Sequence, residues 1–595
     1  MTSLALLAIL VQPTSATFLQ EMRTAVGSGS EQRVRALFGR PKDADPLLEM
    51  AKARGGLMRV QSHLIPTPKG WGPERFWAVF STRQEIQSYR DLVYRVQPVN
   101  GRPALTDEVS EAAPQIPIKD ADIQARLDPP NGKIDVTVKL TFASGAPKAM
   151  PVWRLGTDYK LQSVTIDGKT MPILAAGSDR AAEPKPGDVL RAGPLIIPQT
   201  TGRISTAVLT YGAKLDSADE DRIEPRFAHV TAWWVPSVGR LPHTTSTTIN
   251  APATWEVRSE GELQGSELIG DRKIWRFRCD VPISYPKIVG GEYTLAATAT
   301  DRGRIFRSYQ LQPPDQPRAT RDVEQIRRAI AWFEDRLGPF PFGGYDVFDA
   351  ERYYGIESYS YTLLRRDITT RFVAHEIGHT YFGGLVPCAY VRDSWNEGVT
   401  QYVDSVVFQE NQDKTLEAGL ATLGVEKPLT AMFVPHADQG ATYWRGAYAM
   451  KMLEAEIGQE KVFEALRRMV AERRGKDTVW NDLLPYFEKA GGMKLDWFWD
   501  QWIRGAMFPT LEMGRLESED RGDAWHHRLT VRQSGTPRPY RLRFRIRLVT
   551  DGGPVEQIVT TRSPMETFSF RGSGRAREAK IEVLGLTLAR VKPSN

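Results

Sequence analysis

The most constraining stretch of this 595-residue chain is Arg371 to Tyr402, RFVAHEIGHTYFGGLVPCAYVRDSWNEGVTQY. It contains His375-Glu376-Ile377-Gly378-His379, an H-E-x-x-H pattern. Histidines four apart share one face of a helix, one turn from each other. Both imidazoles can then reach one Zn2+, with Glu376 placed to take a proton from water activated there. Val373, Ala374 and Ile377 can face a core, and Gly383-Gly384 supplies a helix stop. The pentapeptide by itself also suits a buried helix holding two hydrogen-bonded histidines.

A catalytic zinc needs a third protein ligand and an open fourth position. Trp395-Asn396-Glu397-Gly398 opens a second apolar-periodic run (Val399, Tyr402, Val403, Val406, Val407). Glu397 is expected in the first turn of a helix packed on the first, completing a His-His-Glu set. These residues resemble the aminopeptidase N family of gluzincin metallopeptidases, which includes the leukotriene hydrolases. The likeness extends over His375-Glu376-x-x-His379, Phe382-Gly383-x-Leu385-Val386, Asn396-Glu397-Gly398 and Tyr402. Seventeen residues separate His379 from Glu397, one fewer than the family's usual spacing.

The resemblance implies more site residues. Tyr354-Gly355-Ile356-Glu357-Ser358 stands where the family has a G-x-M-E-N strand edge, with Tyr354, Ile356 and Ser358 replacing Gly, Met and Asn. By that likeness Glu357 receives a substrate's free α-amine, and the backbone at Gly355 aligns the peptide. The other reading of Glu357 is a solvated turn carboxylate. Tyr443-Trp444-Arg445-Gly446 resembles the family's Tyr-x-[Lys/Arg]-Gly helix start, whose tyrosine hydroxyl stabilises the developing oxyanion. Tyr448 is the next hydroxyl to consider should Tyr443 only pack. Asp404, seven residues after Glu397, is a candidate to orient a ligand histidine, or a partner in a structural salt bridge. Asn396 is a second such candidate.

Length sets the expectation of several domains. Hydrophobic residues make up 41% and charged residues 25%, a globular composition. The net charge of +6 is spread along the chain and gives little reason to expect an acidic partner. With only Cys279 and Cys388, no disulfide framework exists. Leu4 to Val11 is an apolar run of export-signal length, and Thr14-Ser15-Ala16 suits cleavage after Ala16. A periplasmic or secreted location is therefore expected, the alternatives being a buried N-terminal segment and a cytoplasmic protein. No run is long enough for a membrane helix.

The expected fold is multidomain α+β. Residues 1–16 are a possible signal peptide, and 17–117 an N-terminal extension of unknown role. Glu31 to Arg54 has helical character broken at Gly39-Arg40-Pro41, and Glu111 to Pro117 reads as a linker. Residues 118–300 show short alternating strands with turn signals, a β-sandwich pattern. Trp233-Trp234-Val235-Pro236 and Pro282-Ile283-Ser284-Tyr285 resemble the family's sandwich landmarks and read as core. Residues 301–510 read as a thermolysin-like catalytic domain, with a helix from Asp322 to Leu337. Residues 511–595 read as a small C-terminal β-sandwich. There Arg541, Arg543, Arg545 and Arg547 form one face of a strand, expected to be solvated rather than nucleic-acid-binding because no aromatics interleave with them.

The expected activity is peptide hydrolysis with one Zn2+ per chain and peptides, not nucleic acid, as partners. Two alternatives stay open. One is a gluzincin of another cleavage preference, such as a glycyl aminopeptidase or endopeptidase. The other is a non-catalytic peptide-binding module that has kept its zinc.

Overall fold

The computed structural model describes residues 15–592, apart from 54–55, 67–75, 83–91, 109–116, 144–152, 157, 176–186, 193–194, 199–202, 217–220, 232, 239–240, 285, 312, 352–354, 369, 389–392 and 432–439. The chain forms two compact units that divide between Tyr293 and Thr294.

The first unit starts with helices Ser15–Gly27, Glu31–Arg35 and Asp45–Ala53 and a four-stranded antiparallel meander, Val60–Pro66, Phe76–Thr82, Leu92–Val99 and Arg102–Glu108. Phe18, Met22, Leu47, Phe80, Tyr94 and Leu105 join helices and sheet in one core. The break expected near Pro41 is real: a 3-10 turn, Pro41–Ala44, separates the second and third helices. The apolar run Leu4 to Val11 lies outside the described residues, as does the expected linker up to residue 116. Helix Ser15–Gly27 spans the suggested cleavage point after Ala16.

Alternation then produces a large sheet. Eight strands follow in the order Glu262–Ile269, Arg272–Ile283, His243–Pro252, Ile118–Asp128, Lys133–Phe142, Thr206–Lys214, Lys160–Ile166 and Lys169–Met171. Ile123, Ala125, Leu127, Val136, Val138 and Leu140 point to one face and are buried, as period-two patterning demands. They share a core with residues of two four-stranded sheets, among them Trp153, Ile196, Val230, Val257 and Ile288. Trp234 is core, as expected: its Nε1 donates to the Pro286 carbonyl (2.8 Å), and its own carbonyl accepts from the Tyr211 hydroxyl (2.7 Å).

The second unit opens with a five-stranded sheet ordered Tyr293–Asp301, Arg304–Leu311, Gly344–Ala350, Tyr361–Arg365 and Gly355–Glu357. The three middle strands run parallel, and Gly355–Glu357 is an antiparallel edge. The first crossover helix is Gln316–Leu337, six residues longer than periodicity suggests. Its start is set by Asp315, whose carboxylate accepts from the Arg318 amide (3.0 Å), and by a proline in its first turn. A helical layer follows: Phe372–Tyr381, Trp395–Gln401, Gln412–Ala421, Gly446–Ile457, Gln459–Glu472 and Trp480–Gly491.

Two small sheets close the chain. One is Met565–Gly572, Trp525–Ser534, Thr510–Asp520 and Arg590–Val591; the other is Gly553–Thr561, Leu542–Thr550 and Ala576–Glu582. The expected solvated arginine face holds for half of the stripe. Arg545 and Arg547 are on the surface and pair with Glu582 and Glu556 of the neighbouring strands. Arg541 and Arg543 are drawn in: Arg541 pairs with Glu456 (2.8 Å) over the Trp497 ring, and Arg543 donates to the Ala455 carbonyl (2.7 Å), which ties this end of the sheet to helix Gly446–Ile457.

Candidate functional site

Helix Phe372–Tyr381 is buried on nearly every face, with Val373, Ala374, Ile377 and Tyr381 fully covered. The His375 and His379 rings lie 4.8 Å apart, and their Nε2 atoms 3.1 Å. The helix stops where glycine permits it: Gly383 adopts φ +109°, and the Gly384 and Leu385 amides return to the His379 and Thr380 carbonyls. That stop turns the Phe382 carbonyl toward His379, which donates from Nδ1 (3.1 Å). The bond fixes the ring and leaves Nε2 aimed into the site.

Helix Trp395–Gln401 brings the third donor. Glu397 Oε2 is 3.1 Å from His379 Nε2 and 3.8 Å from His375 Nε2. Tetrahedral zinc with ligands at about 2.0–2.1 Å separates neighbouring donors by roughly 3.3 Å. The three observed separations bracket that value, so two imidazoles and a carboxylate fit Zn2+, and the one-residue-shorter loop does not prevent it. His375, His379 and Glu397 are the metal-capable His/Cys/Asp/Glu cluster found among the described residues. Burial works against charge on His379, but Glu397 overcomes it and raises the imidazole to about 10. Burial likewise works to raise the Glu397 carboxyl, yet the two histidines hold it well below the ordinary range.

Glu376 sits one position beyond His375 on the same buried helix. Burial raises its carboxyl to about 7, against the pull of both histidines. The edge strand Gly355–Glu357 passes directly over it: a Cβ on Gly355 would lie 2.6 Å from Glu376 Oε1. Glu357, half-buried in that strand, is close enough for its charge to act on Glu376, His379 and Tyr443. Tyr443 approaches from the opposite side on a turn of π-helix, Ala441–Arg445. Its ring stacks on His375 (centroids 5.9 Å, 21° between planes), and its hydroxyl is close enough to Glu397 for that carboxylate to act on it. Burial, then the charges of Glu397, Glu357 and Glu376, keep the phenol protonated and therefore a donor.

Residues 351–502 match the family model described as "Peptidase family M1 domain". This segment is an M1 peptidase domain. Aminopeptidase N of Lactococcus lactis subsp. lactis is 27% identical over 199 residues, 28% of this chain and 23% of that protein. Aminopeptidase N of Streptomyces lividans is 24% identical over 252 residues, 36% of this chain and 29% of the other. The chain thus matches less than a third of the length of these relatives. Among solved structures, Legionella pneumophila aminopeptidase A in complex with aspartic acid aligns with TM-score 0.65 at 17% identity, covering 81% of this chain and 60% of that one. The M1 zinc metallopeptidase of Deinococcus radiodurans aligns with TM-score 0.54 at 18% identity, over 65% and 94%. These likenesses establish the α+β M1 fold.

Within the M1 domain the remaining candidates divide. Asn396 Nδ2 is 3.4 Å from both His379 Nδ1 and Glu397 Oε1, so it borders the ligands. Asp404 comes within 4.0 Å of His375 Nδ1, beyond direct hydrogen bonding. The straight-helix spacing that put it on Glu397's face is interrupted, because Tyr402–Phe408 is a π-helical turn. Its carboxylate accepts instead from Ser405 and Gln409. Tyr448 is not an alternative hydroxyl: it bonds the Val583 and Thr587 carbonyls and accepts from the Gly585 amide. Sequence reasoning missed the Phe382 carbonyl and Thr400 (3.4 Å from His379 Nδ1).

Proposed function

We propose that this chain is a zinc aminopeptidase that removes N-terminal residues from peptides. The observation that carries it is the convergence of His375, His379 and Glu397 with Glu376 beside them and Tyr443 stacked on His375. His375 and His379 hold Zn2+ through Nε2 and Glu397 through a carboxylate oxygen. Zinc in such a donor set polarises a carbonyl and lowers the pKa of water toward neutrality. Glu376 takes the proton from the attacking water and delivers it to the leaving amine, the task of a carboxylate general base held beside the donor cluster. Tyr443 donates its hydroxyl to the carbonyl oxygen as that oxygen becomes negative. A substrate backbone adds to the edge strand Gly355–Glu357 as a further strand. Glu357 receives the α-ammonium through a charge-assisted hydrogen bond.

The test is kcat/KM for a matched free and N-acetylated peptide pair, in wild type and Glu357→Ala. The free peptide should lose roughly thirty- to a thousand-fold in the variant, about 2–4 kcal/mol. The acetylated one should be poor in wild type and no worse in the variant. Equal loss for both would replace the aminopeptidase reading with a peptidase of broader cleavage preference.

The apolar run Leu4 to Val11 followed by Thr14-Ser15-Ala16 supports export to the periplasm or medium. Among the described residues, no helix is long and apolar enough to cross a membrane. N-terminal sequencing of the protein from its natural host should begin at Thr17; a start at Met1 would overturn export by cleavage.

A further inference from the structure

The helix carrying Glu397 crosses the helix that begins after Tyr443, and the crossing point is a pair of glycines. A Cβ built on Gly398 would lie 2.7 Å from the Gly446 Cα, and one built on Gly446 would lie 2.6 Å from the Gly398 Cα. Both contacts are to backbone, so no rotamer change relieves them. Trp480 closes the remaining side, its Cζ2 3.1 and 3.5 Å from the two positions. Gly446 has ordinary helical dihedrals (φ −58°, ψ −48°). Glycine there serves close approach, at about 1 kcal/mol of helix propensity relative to alanine.

The crossing lies one residue from Glu397 and three from Tyr443. Tyr443 must span the gap to lay its ring on His375 (centroids 5.9 Å), with its hydroxyl toward the site. Arg445 keeps the helix start from sliding to accommodate a wider crossing. Its buried guanidinium donates to the Thr422 carbonyl (2.7 Å), Val425 carbonyl (2.7 Å), Lys427 carbonyl (2.9 Å) and Thr422 hydroxyl (3.3 Å). The Phe508 ring lies 4.5 Å from it. Relieving an added methyl needs about 1 Å of separation, to reach ordinary carbon contact of roughly 3.5–4.0 Å. With Arg445 anchored, that separation carries Tyr443 away from Glu397 and His375.

We infer that Gly398 and Gly446 are positioning residues: their backbone contact sets the distance between the Glu397 helix and the Tyr443 turn, and so brings the Tyr443 hydroxyl into the site. This rests on the reading that the hydroxyl serves the reaction.

The experiment measures kcat, KM and zinc content for wild type, Tyr443→Phe, Gly446→Ala and the double variant, with a crystal structure of Gly446→Ala. Gly446→Ala should keep its zinc, lose about ten- to a hundred-fold in kcat and change KM by less than about twofold. The double variant should be no more than about twofold slower than Tyr443→Phe, because both changes remove one interaction. The structure should show the Tyr443 hydroxyl farther from Glu397 than in wild type. Multiplying losses, full kcat in Gly446→Ala, or an unmoved hydroxyl would each overturn the inference. If Gly446→Ala folds poorly, Gly398→Ala meets the same contact from the other helix and carries the same expectations. Failure of both to fold would also count against the inference, making the contact a requirement of the fold rather than of Tyr443's position. Wild-type turnover in Tyr443→Phe would instead sink the role of Tyr443 itself, and the inference with it.

Discussion

Gly355 lies against Glu376 so closely that a single methyl group on it would stand 2.6 Å from the carboxylate oxygen Oε1. The edge strand and the helix are thus spaced for a residue without a side chain. Gly355→Ala should push the Glu376 carboxylate aside, since that end of the side chain is the only mobile part of the contact. Melting temperature should change little, but kcat should fall by about ten- to a hundred-fold with zinc retained, because a displacement near 1 Å suffices to misplace a proton acceptor. Unchanged kcat would show that the carboxylate works from more than one position.

Glu376→Gln should bind zinc normally and lose turnover by about 10²–10⁴-fold, since an amide cannot accept the proton of water. Zinc content and kcat on one preparation decide it. Retained turnover would assign the base elsewhere.

Glu397→Ala should lose its zinc, as should His379→Ala. Each removes one of three donors whose atoms already stand 3.1–3.8 Å apart. Full zinc occupancy in purified Glu397→Ala, by elemental analysis, would place the third ligand outside this cluster.

Tyr448→Phe should destabilise the protein by about 1–3 kcal/mol while leaving zinc content and kcat intact. The hydroxyl is buried between the Val583 and Thr587 carbonyls and the Gly585 amide, and deletion strands those groups. Denaturant unfolding followed at 25 °C reads the loss. A large drop in kcat without loss of stability would contradict this assignment.

Asp322 gives the stability a pH dependence of definite sign. Burial raises its carboxyl from 3.8 to about 6, partly offset by Arg318 and by the Ser308 hydroxyl (2.9 Å). A folded-state pKa above the unfolded value means that folding favours the protonated form. The resulting penalty is absent below pH 3.8, grows as pH rises through 6 and is constant above. Between pH 5 and 7.5, wild type should lose about 1–2 kcal/mol more stability than Asp322→Asn. Parallel pH profiles for the two proteins would refute it.

The clustering of His375, His379 and Glu397 was legible from residues 371–402 because helical geometry is local. Four residues make one turn, so His375 and His379 share a face whatever surrounds them. Alternation likewise gave the strands of the large sheet, since a half-buried strand needs apolar residues at every second position. Asp404 follows this logic only in part: it does face His375, but the helix loosens into a π-turn at Tyr402–Phe408 and the carboxylate stops 4.0 Å from His375 Nδ1. The early start of the Gln316–Leu337 helix was written in Asp315, a cap signal outside the apolar period. Two of the four arginines read as a solvated face, Arg541 and Arg543, are drawn inward instead, because their partners Glu456 and Ala455 are 85 and 88 residues away in sequence.

By itself, then, the sequence determined which residues are candidates to carry chemistry, because residue type and short-range spacing determine donor atoms and helix faces. It determined neither how Glu397 meets His379 nor how Tyr443 comes to stack on His375. Those distances depend on contacts between segments far apart in the chain, Gly355 over Glu376 and Gly398 against Gly446. Close packing fixes such contacts to a few tenths of an ångström, and only the folded chain brings those surfaces together.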